Sequence, residues 1–142
     1  PSHQRGVGLV FQDNQLFPHM STIDNVAYGL RVAGVGKVER QERGAVWLDR
    51  VGLAGFERRS VTELSGGEAK RVALARTLAT EPSVVLLDEP LTGLDRELRD
   101  HLATQLAQLL VEHSITAVLV THDPAEADVI ASRSVRMDQI DG

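Results

Sequence analysis

The sequence predicts an α/β fold: a parallel sheet flanked by helices, with a helical subdomain placed ahead of its second half. Three observations lead there. The runs Ser83-Val84-Val85-Leu86-Leu87 and Ile115 to Thr121 are apolar without alternation, as suits parallel strands covered on both faces. From Ser83 onward the order is strand, helix, strand, helix, strand, which implies parallel neighbours joined by right-handed crossovers. The stretch from about Asn14 to Glu63 carries helical patterns alone. Residues 14–63 are therefore expected to form the helical subdomain, and residues 1–13 and 64–142 to belong to the α/β core.

Taken in order, Val7 to Phe11 is a short apolar run before polar residues, read as a buried strand. Asp13 to Pro18 is a loop. Ser21 caps a helix starting near Thr22, with Asp24 favourable in its first turn, and the glycines Gly34 and Gly36 end it. Lys37 to Val51 is rich in helix formers; Val38, Ala45, Trp47, Leu48 and Val51 give its apolar stripe, and Gly52 stands where a C-cap glycine belongs. Phe56 to Glu63 is a polar connector. Glu68 to Ala79 is a second strong helix, with Val72, Ala75, Leu78 and Ala79 on one side. The strand after Pro82 ends in Asp88-Glu89-Pro90. Arg96 to Glu112 is helical, with Leu98, Leu102, Leu106, Leu109 and Leu110 inward. After the strand Ile115 to Thr121, Asp123 caps a short helix with Pro124 at its first position. Ser134 to Met137 reads as a last strand.

The chain of 142 residues is long enough for one domain with its own core. A formal net charge of -5, with Lys and Arg scattered among acids, argues against nucleic acid as a partner. The absence of cysteine excludes disulfides and thiolate metal sites. No stretch approaches the roughly 20 apolar residues that span a bilayer, and the first residues have no apolar signal core. A cytoplasmic chain is expected. The first residue, Pro1, and a last strand with nothing after it lead to the expectation of a fragment.

Four places carry chemistry. The strand ending in Asp88 and Glu89 delivers two carboxylates to the C-terminal edge of the sheet, where ligands of open α/β sheets bind. One can hold Mg²⁺, an ion that prefers oxygen and keeps part of its water shell; the next can polarise an attacking water. Equally, two acids after a strand can sit in a solvated loop. Leu64-Ser65-Gly66-Gly67-Glu68 precedes a helix. Its glycines allow close backbone approach and the free N–H groups at the helix start favour an anion, while Ser65 and Glu68 alone would make an ordinary capping box. His122 ends a strand one βα unit later, so it emerges on the same edge as Glu89, where it could meet a terminal phosphate or be structural. Gln12 ends the first strand, where its amide could contact metal or water. His3, His19, His101 and His113 are read as structural.

In this order the motifs resemble the nucleotide-binding domains of ABC transporters. Gln12 matches the Q-loop, Leu64 to Glu68 the signature, Leu86-Leu87-Asp88-Glu89-Pro90 the Walker B strand with its glutamate, Gly93-Leu94-Asp95 the D-loop and Thr121-His122-Asp123 the switch histidine. Between them Val10-Phe11-Gln12, Leu16 to Met20, Asn25-Val26-Ala27 and Arg71 to Arg76 look like importer-type subunits. The resemblance implies a P-loop NTPase-like sheet and a head-to-tail dimer with a second nucleotide-binding domain, a homodimer by expectation. It implies ATP and Mg²⁺ as cofactors. Ser65, Gly66 and Gly67 would bind the γ-phosphate of ATP held by the partner, and Asp95 would communicate across the dimer. Asp88 would organise Mg²⁺, with Gln12 touching metal and attacking water. Glu89 would act as general base, and His122 would hold the γ-phosphate. Transmembrane permease subunits and a solute-binding protein are the further partners implied, with the chain peripheral on the inner face of the cell membrane. Leu16 to Met20 and the helices after it would receive the permease.

The sequence departs from the family in one large respect: it contains no Gly-x-x-x-x-Gly-Lys-Ser/Thr phosphate loop and no early adenine-stacking aromatic. Gly36-Lys37 is a decoy, because the first glycine would fall at Arg31 and Val38 lacks the hydroxyl. The expectation is an N-terminal truncation that lacks strands of the sheet, exposes apolar surface and does not hydrolyse ATP by itself. Lys70 stands where glutamine is frequent, Thr92-Gly93 where Ser-Ala is common and Ser132 where aspartate is common. Two other readings stay open: an ABC ATPase acting on DNA or the ribosome, and a non-catalytic module that donates its signature to a complete partner. The interval between Gln12 and the signature, about fifty residues without sustained heptads, is too short for the DNA-repair type's coiled coil. The transported solute is not legible.

Overall fold

A computed structural model describes residues 7–10 and 15–130 of the chain. Gln12, Ser132 and the strand expected at Ser134 to Met137 lie outside the described residues. The elements are β1 (Val7–Val10), α1 (Thr22–Val32), α2 (Lys37–Arg50), α3 (Gly66–Ala79), β2 (Val84–Asp88), α4 (Arg96–Glu112), β3 (Thr116–Val120) and α5 (Pro124–Ile130). A single turn of 3-10 helix at Val61–Glu63 interrupts the connector before α3.

The three described strands form a parallel sheet in the order β1-β2-β3. Val7 lies opposite Val84, and Asp88 opposite Val120. The C-terminal ends of β2 and β3 are thereby level, so whatever follows Asp88 and Val120 emerges side by side.

The helix ends follow from local chemistry. Ser21 accepts from the Asp24 N–H to start α1. At the far end of α2, Gly52 adopts φ +79°, its N–H reaches the Asp49 carbonyl, and the Leu53 N–H reaches Leu48. That is the paired C-terminal bonding a left-handed glycine permits. The same pattern closes α4, where Ser114 takes the left-handed position at φ 54° although it is not glycine.

Helices α1, α2 and α3 pack on one another. One apolar cluster runs from Val26, Leu30 and Leu48 through Val72 and Leu78 to Val85, Leu87 and Leu106. A smaller one joins Leu91 and Leu94 to Leu102 and Ala103. Two expectations need correction. Val38 does not belong to the stripe of α2; it is 73% exposed, since it sits in the first turn, beyond the reach of α1 and α3. Helix α3 is not one-sided either: Val72, Ala73, Leu74, Ala75, Leu78 and Ala79 are all buried, because α1, α2 and β1 all pack against it.

The strands also differ from a sheet covered on both faces. Val85 and Leu87 are fully buried, yet Val84 is exposed and Val118 is 53% exposed. The residues of α3 and α4 that share a cluster with the sheet meet the Val85–Leu87 face. The opposite face carries Val84, Val118 and Val120, all exposed.

Candidate active site

The site forms where β2 ends. After Asp88 the chain leaves the sheet at Glu89, whose N–H donates to the Val120 carbonyl at 2.8 Å. Glu89 has φ 48°, a left-handed conformation that costs a residue with a Cβ about 1–2 kcal/mol and that gathers at functional positions. The residue is only 7% exposed. Its Oε2 lies 3.4 Å from the Thr92 hydroxyl, which donates to it. Its Oε1 lies 2.7 Å from His122 Nε2 without an aligned hydrogen bond. His122 itself is carried just past β3, and its side chain is 93% exposed. The level strand ends thus bring together Glu89 and His122, as the sequence order implied.

Around them is an open cleft of about 380 Å³, lined by Glu89, Thr92, Arg99, Thr121, His122 and Glu126 among others. Its charges are mostly negative and incompletely solvated. Burial, with the nearby charge of Asp123 next, pushes the Glu126 carboxyl above its ordinary range, against opposing effects of a Thr121 hydrogen bond and Arg99. Glu126 Oε1 has no hydrogen-bond partner among the described residues. Lys70, buried on α3, donates to the Glu89 carbonyl at 2.9 Å. Burial lowers its pKa while the charges of Glu89, Glu126 and Asp88 pull it back up. Asp123 accepts from the Ala125 N–H as the cap of α5, as its position implied, and pairs with Arg99 at 3.3 Å.

The donor set suits magnesium better than a closed metal cage. Among the described residues no three His, Cys, Asp or Glu side chains converge to hold an ion. Asp88, the last residue of β2, and Glu89, which lines the cleft, offer oxygen alone, and the buried Oε1 of Glu89 has no aligned donor. Magnesium is commonly held by one or two carboxylates plus the substrate's phosphates, so these residues fit it.

The signature segment lies at the start of α3. Ser65 accepts from the Glu68 N–H at 3.1 Å, and Glu68 accepts from the Ser65 N–H at 2.9 Å. The capping box is therefore real, and it leaves the Gly66 and Gly67 N–H groups, which have no intrahelical partner, for something else. The two glycines differ. A Cβ on Gly67 would lie 2.7 Å from Leu94 Cδ2, whereas a Cβ on Gly66 would meet nothing within 4 Å. Nothing among the described residues requires glycine at 66. Ser65, Gly66 and Gly67 are not among the residues lining the cleft of Glu89 and His122. Asp95 caps α4 by accepting from the Leu98 N–H at 2.9 Å.

Several residues escaped the sequence reading. Lys70 shares a helix face with the buried Leu74, and Glu126 with Ile130; a charge on an inward stripe was the available signal. Arg76 donates to the Gln15 carbonyl at 2.9 Å. Asn25, fully buried, accepts from the Phe17 N–H and donates to the carbonyls of Phe17, Met20 and Ser21, fixing the Leu16 to Met20 segment.

Comparison with known proteins agrees with the motif order. The family model described as ABC transporter matches residues 1–92. The Fe(3+) ions import ATP-binding protein FbpC of Streptomyces avermitilis is 52% identical over 96% of this chain and 40% of its own length. That of Rhizobium etli is 49% identical over 96% of this chain and 39% of its own. The chain spans about two fifths of the length of these curated relatives. Among solved structures, the ATP-binding cassette MJ0796 in a dimeric post-hydrolysis state bound to ADP and Pi superposes with a TM-score of 0.81 at 33% identity. That match covers 88% of this chain and 56% of the other. The family match over most of the sequence, and a sheet edge that carries Glu89 beside His122, establish that the chain belongs to the ABC transporter family.

Proposed function

We propose that these residues are the hydrolytic part of an ATP-binding subunit that powers solute import through an ABC permease. The observation that carries this reading is Glu89: buried, left-handed, at the end of a central strand, with His122 2.7 Å away. Its carboxylate takes the proton of, or orients, the water that attacks the γ-phosphate. His122, whose side chain is exposed, reaches that phosphate and steadies the charge that develops on it. Phosphoryl transfer asks for this kind of positioning and charge stabilisation and little covalent work.

Asp88, with Gln12, would hold the magnesium ion. When bound, that ion would supply charge neutralisation at the phosphate oxygens. Ser65 and the free N–H groups of Gly66 and Gly67 meet the γ-phosphate of ATP held by a second nucleotide-binding domain, for which the open space in front of Gly66 leaves room. Asp95 lies at the seam between the two domains. The permease seats on Leu16 to Met20, whose backbone Asn25 holds rigid, at the cytoplasmic face of the membrane. A solute-binding protein completes the system. The names of the relatives, Fe(3+) ions import ATP-binding proteins, favour ferric ion as the solute.

These 142 residues contain no phosphate loop, so by themselves they are expected not to turn over ATP. Mg-ATP hydrolysis by the isolated chain that disappears in Glu89→Gln would overturn that part. Turnover that appears only when a complete subunit is added, and that survives Glu89→Gln, would favour a signature-donating module instead. For the solute, deleting the gene should abolish ferric uptake; unchanged ferric uptake with loss of another solute's import would reject the ferric assignment.

A further inference from the structure

We propose that Lys70 is a positioning residue for Glu89: from the signature helix, its ammonium grips the Glu89 main-chain carbonyl and holds the left-handed turn that aims the Glu89 carboxylate into the cleft. The proposal rests on the ATPase reading above, and it adds a residue that reading does not use.

Lys70 lies three residues after Gly67 on α3. Its side chain points inward, and Nζ donates to the Glu89 carbonyl at 2.9 Å. That carbonyl has left the β-ladder, because Glu89 is the first residue beyond β2. Its other partner is the Thr92 N–H at 3.4 Å, a long contact. A non-glycine residue at φ 48° persists only where its surroundings over-determine it. Here two bonds do so: the Glu89 N–H to Val120 on one side and Lys70 to the Glu89 carbonyl on the other.

Burying an ammonium is unfavourable unless charges compensate it. Glu89, Glu126 and Asp88 supply that compensation. An apolar residue would fill the same space without this difficulty, so the lysine needs a reason beyond packing; the carbonyl it grips supplies one. A consequence follows for the dimer. Glycines 66 and 67 and Lys70 lie within about 6 Å along one rigid helix at 1.5 Å per residue. The helix start that meets a partner's phosphate is therefore the same body that holds the general base of this chain's own site.

The test compares Lys70→Met and Lys70→Gln in the native gene product. Methionine keeps the length and cannot donate. Glutamine can donate to the same carbonyl without charge. Amide exchange is followed at Glu89 and, as a control, at Leu87, alongside kcat and KM for Mg-ATP. Lys70→Met is expected to speed exchange at Glu89 about tenfold or more with Leu87 unchanged. It is expected to lower kcat about 10- to 100-fold with little change in KM. Lys70→Gln should recover most of both. Unchanged exchange at Glu89 in Lys70→Met overturns the proposal, as does an equal loss of kcat in both variants. Should Lys70→Met not fold, Lys70→Gln decides alone: retained exchange protection and kcat support the proposal, and loss of either rejects it. If Glu89→Gln leaves turnover intact, the ATPase reading fails, and the exchange data still decide whether Lys70 holds Glu89.

Discussion

Replacing Gly66 and Gly67 by alanine, one at a time, separates what the signature does for its own chain from what it does for a partner. On Gly67 the new methyl would sit 2.7 Å from Leu94 Cδ2, against 3.4 Å or more for an ordinary contact. Leu94 belongs to a buried cluster with Leu91 and Leu102, so it has little room to withdraw. Overpacking of this kind costs about 1–3 kcal/mol. The higher helix propensity of alanine returns up to about 1 kcal/mol. The net loss, about 0–3 kcal/mol, should lower the melting temperature by a few degrees. On Gly66 the methyl meets nothing, so melting should stay the same or rise slightly. Yet under the proposed function Gly66→Ala places that methyl in the path of a partner's phosphate, and ATP-dependent turnover of the native gene product should then fall about tenfold or more. Thermal melts and steady-state turnover read the two effects. If Gly66→Ala melts as low as Gly67→Ala, or hydrolyses ATP at the unmodified rate, the assignment of the signature is wrong.

Three further perturbations test other parts of the account. Asn25→Ala removes a buried amide that bonds four backbone groups; at about 1 kcal/mol or more for each group stranded, urea denaturation should show a loss of about 2–4 kcal/mol. Ser114→Gly relieves a left-handed serine at the end of α4 and should stabilise by up to about 1 kcal/mol in the same assay. Glu126 has a raised pKa in the fold, so the folded chain binds that proton more tightly than the unfolded chain. Its destabilising effect is absent below the unfolded value of about 4.3, grows as pH rises and is complete above the folded value. Glu126→Gln should therefore melt higher than the unmodified protein at neutral pH, with the difference vanishing below about pH 4; a gain that is the same at every pH would contradict the burial argument.

The helices were legible because their ends carry local signals. Ser21, Ser65, Asp95 and Asp123 accept backbone N–H groups within three residues, and such bonds depend on short stretches of sequence. Strands β2 and β3 were legible as apolar runs, and with them the meeting of Glu89 and His122. What could not be read depends on distant packing. Val118 looks like a core residue in the sequence, but whether its face is covered is decided by which elements lie across the sheet. Lys70 and Glu126 look like surface charges until the helices carrying them are set against the sheet edge. Asn25 looks like an ordinary first-turn polar residue, and its four bonds exist because the loop from Phe17 to Ser21 folds back over it. The left-handed backbone of Glu89 had no signal at all, since glutamate does not favour it.

The most direct test is Mg-ATP turnover by the native gene product with Glu89 intact and as Glu89→Gln, at saturating nucleotide, with a melt of each. The account predicts a kcat at least about 100-fold lower for Glu89→Gln with an unchanged or higher melting temperature. An unchanged kcat, or a loss of rate accompanied by an equal loss of folded protein, would contradict the claim that Glu89 is the hydrolytic residue of this chain.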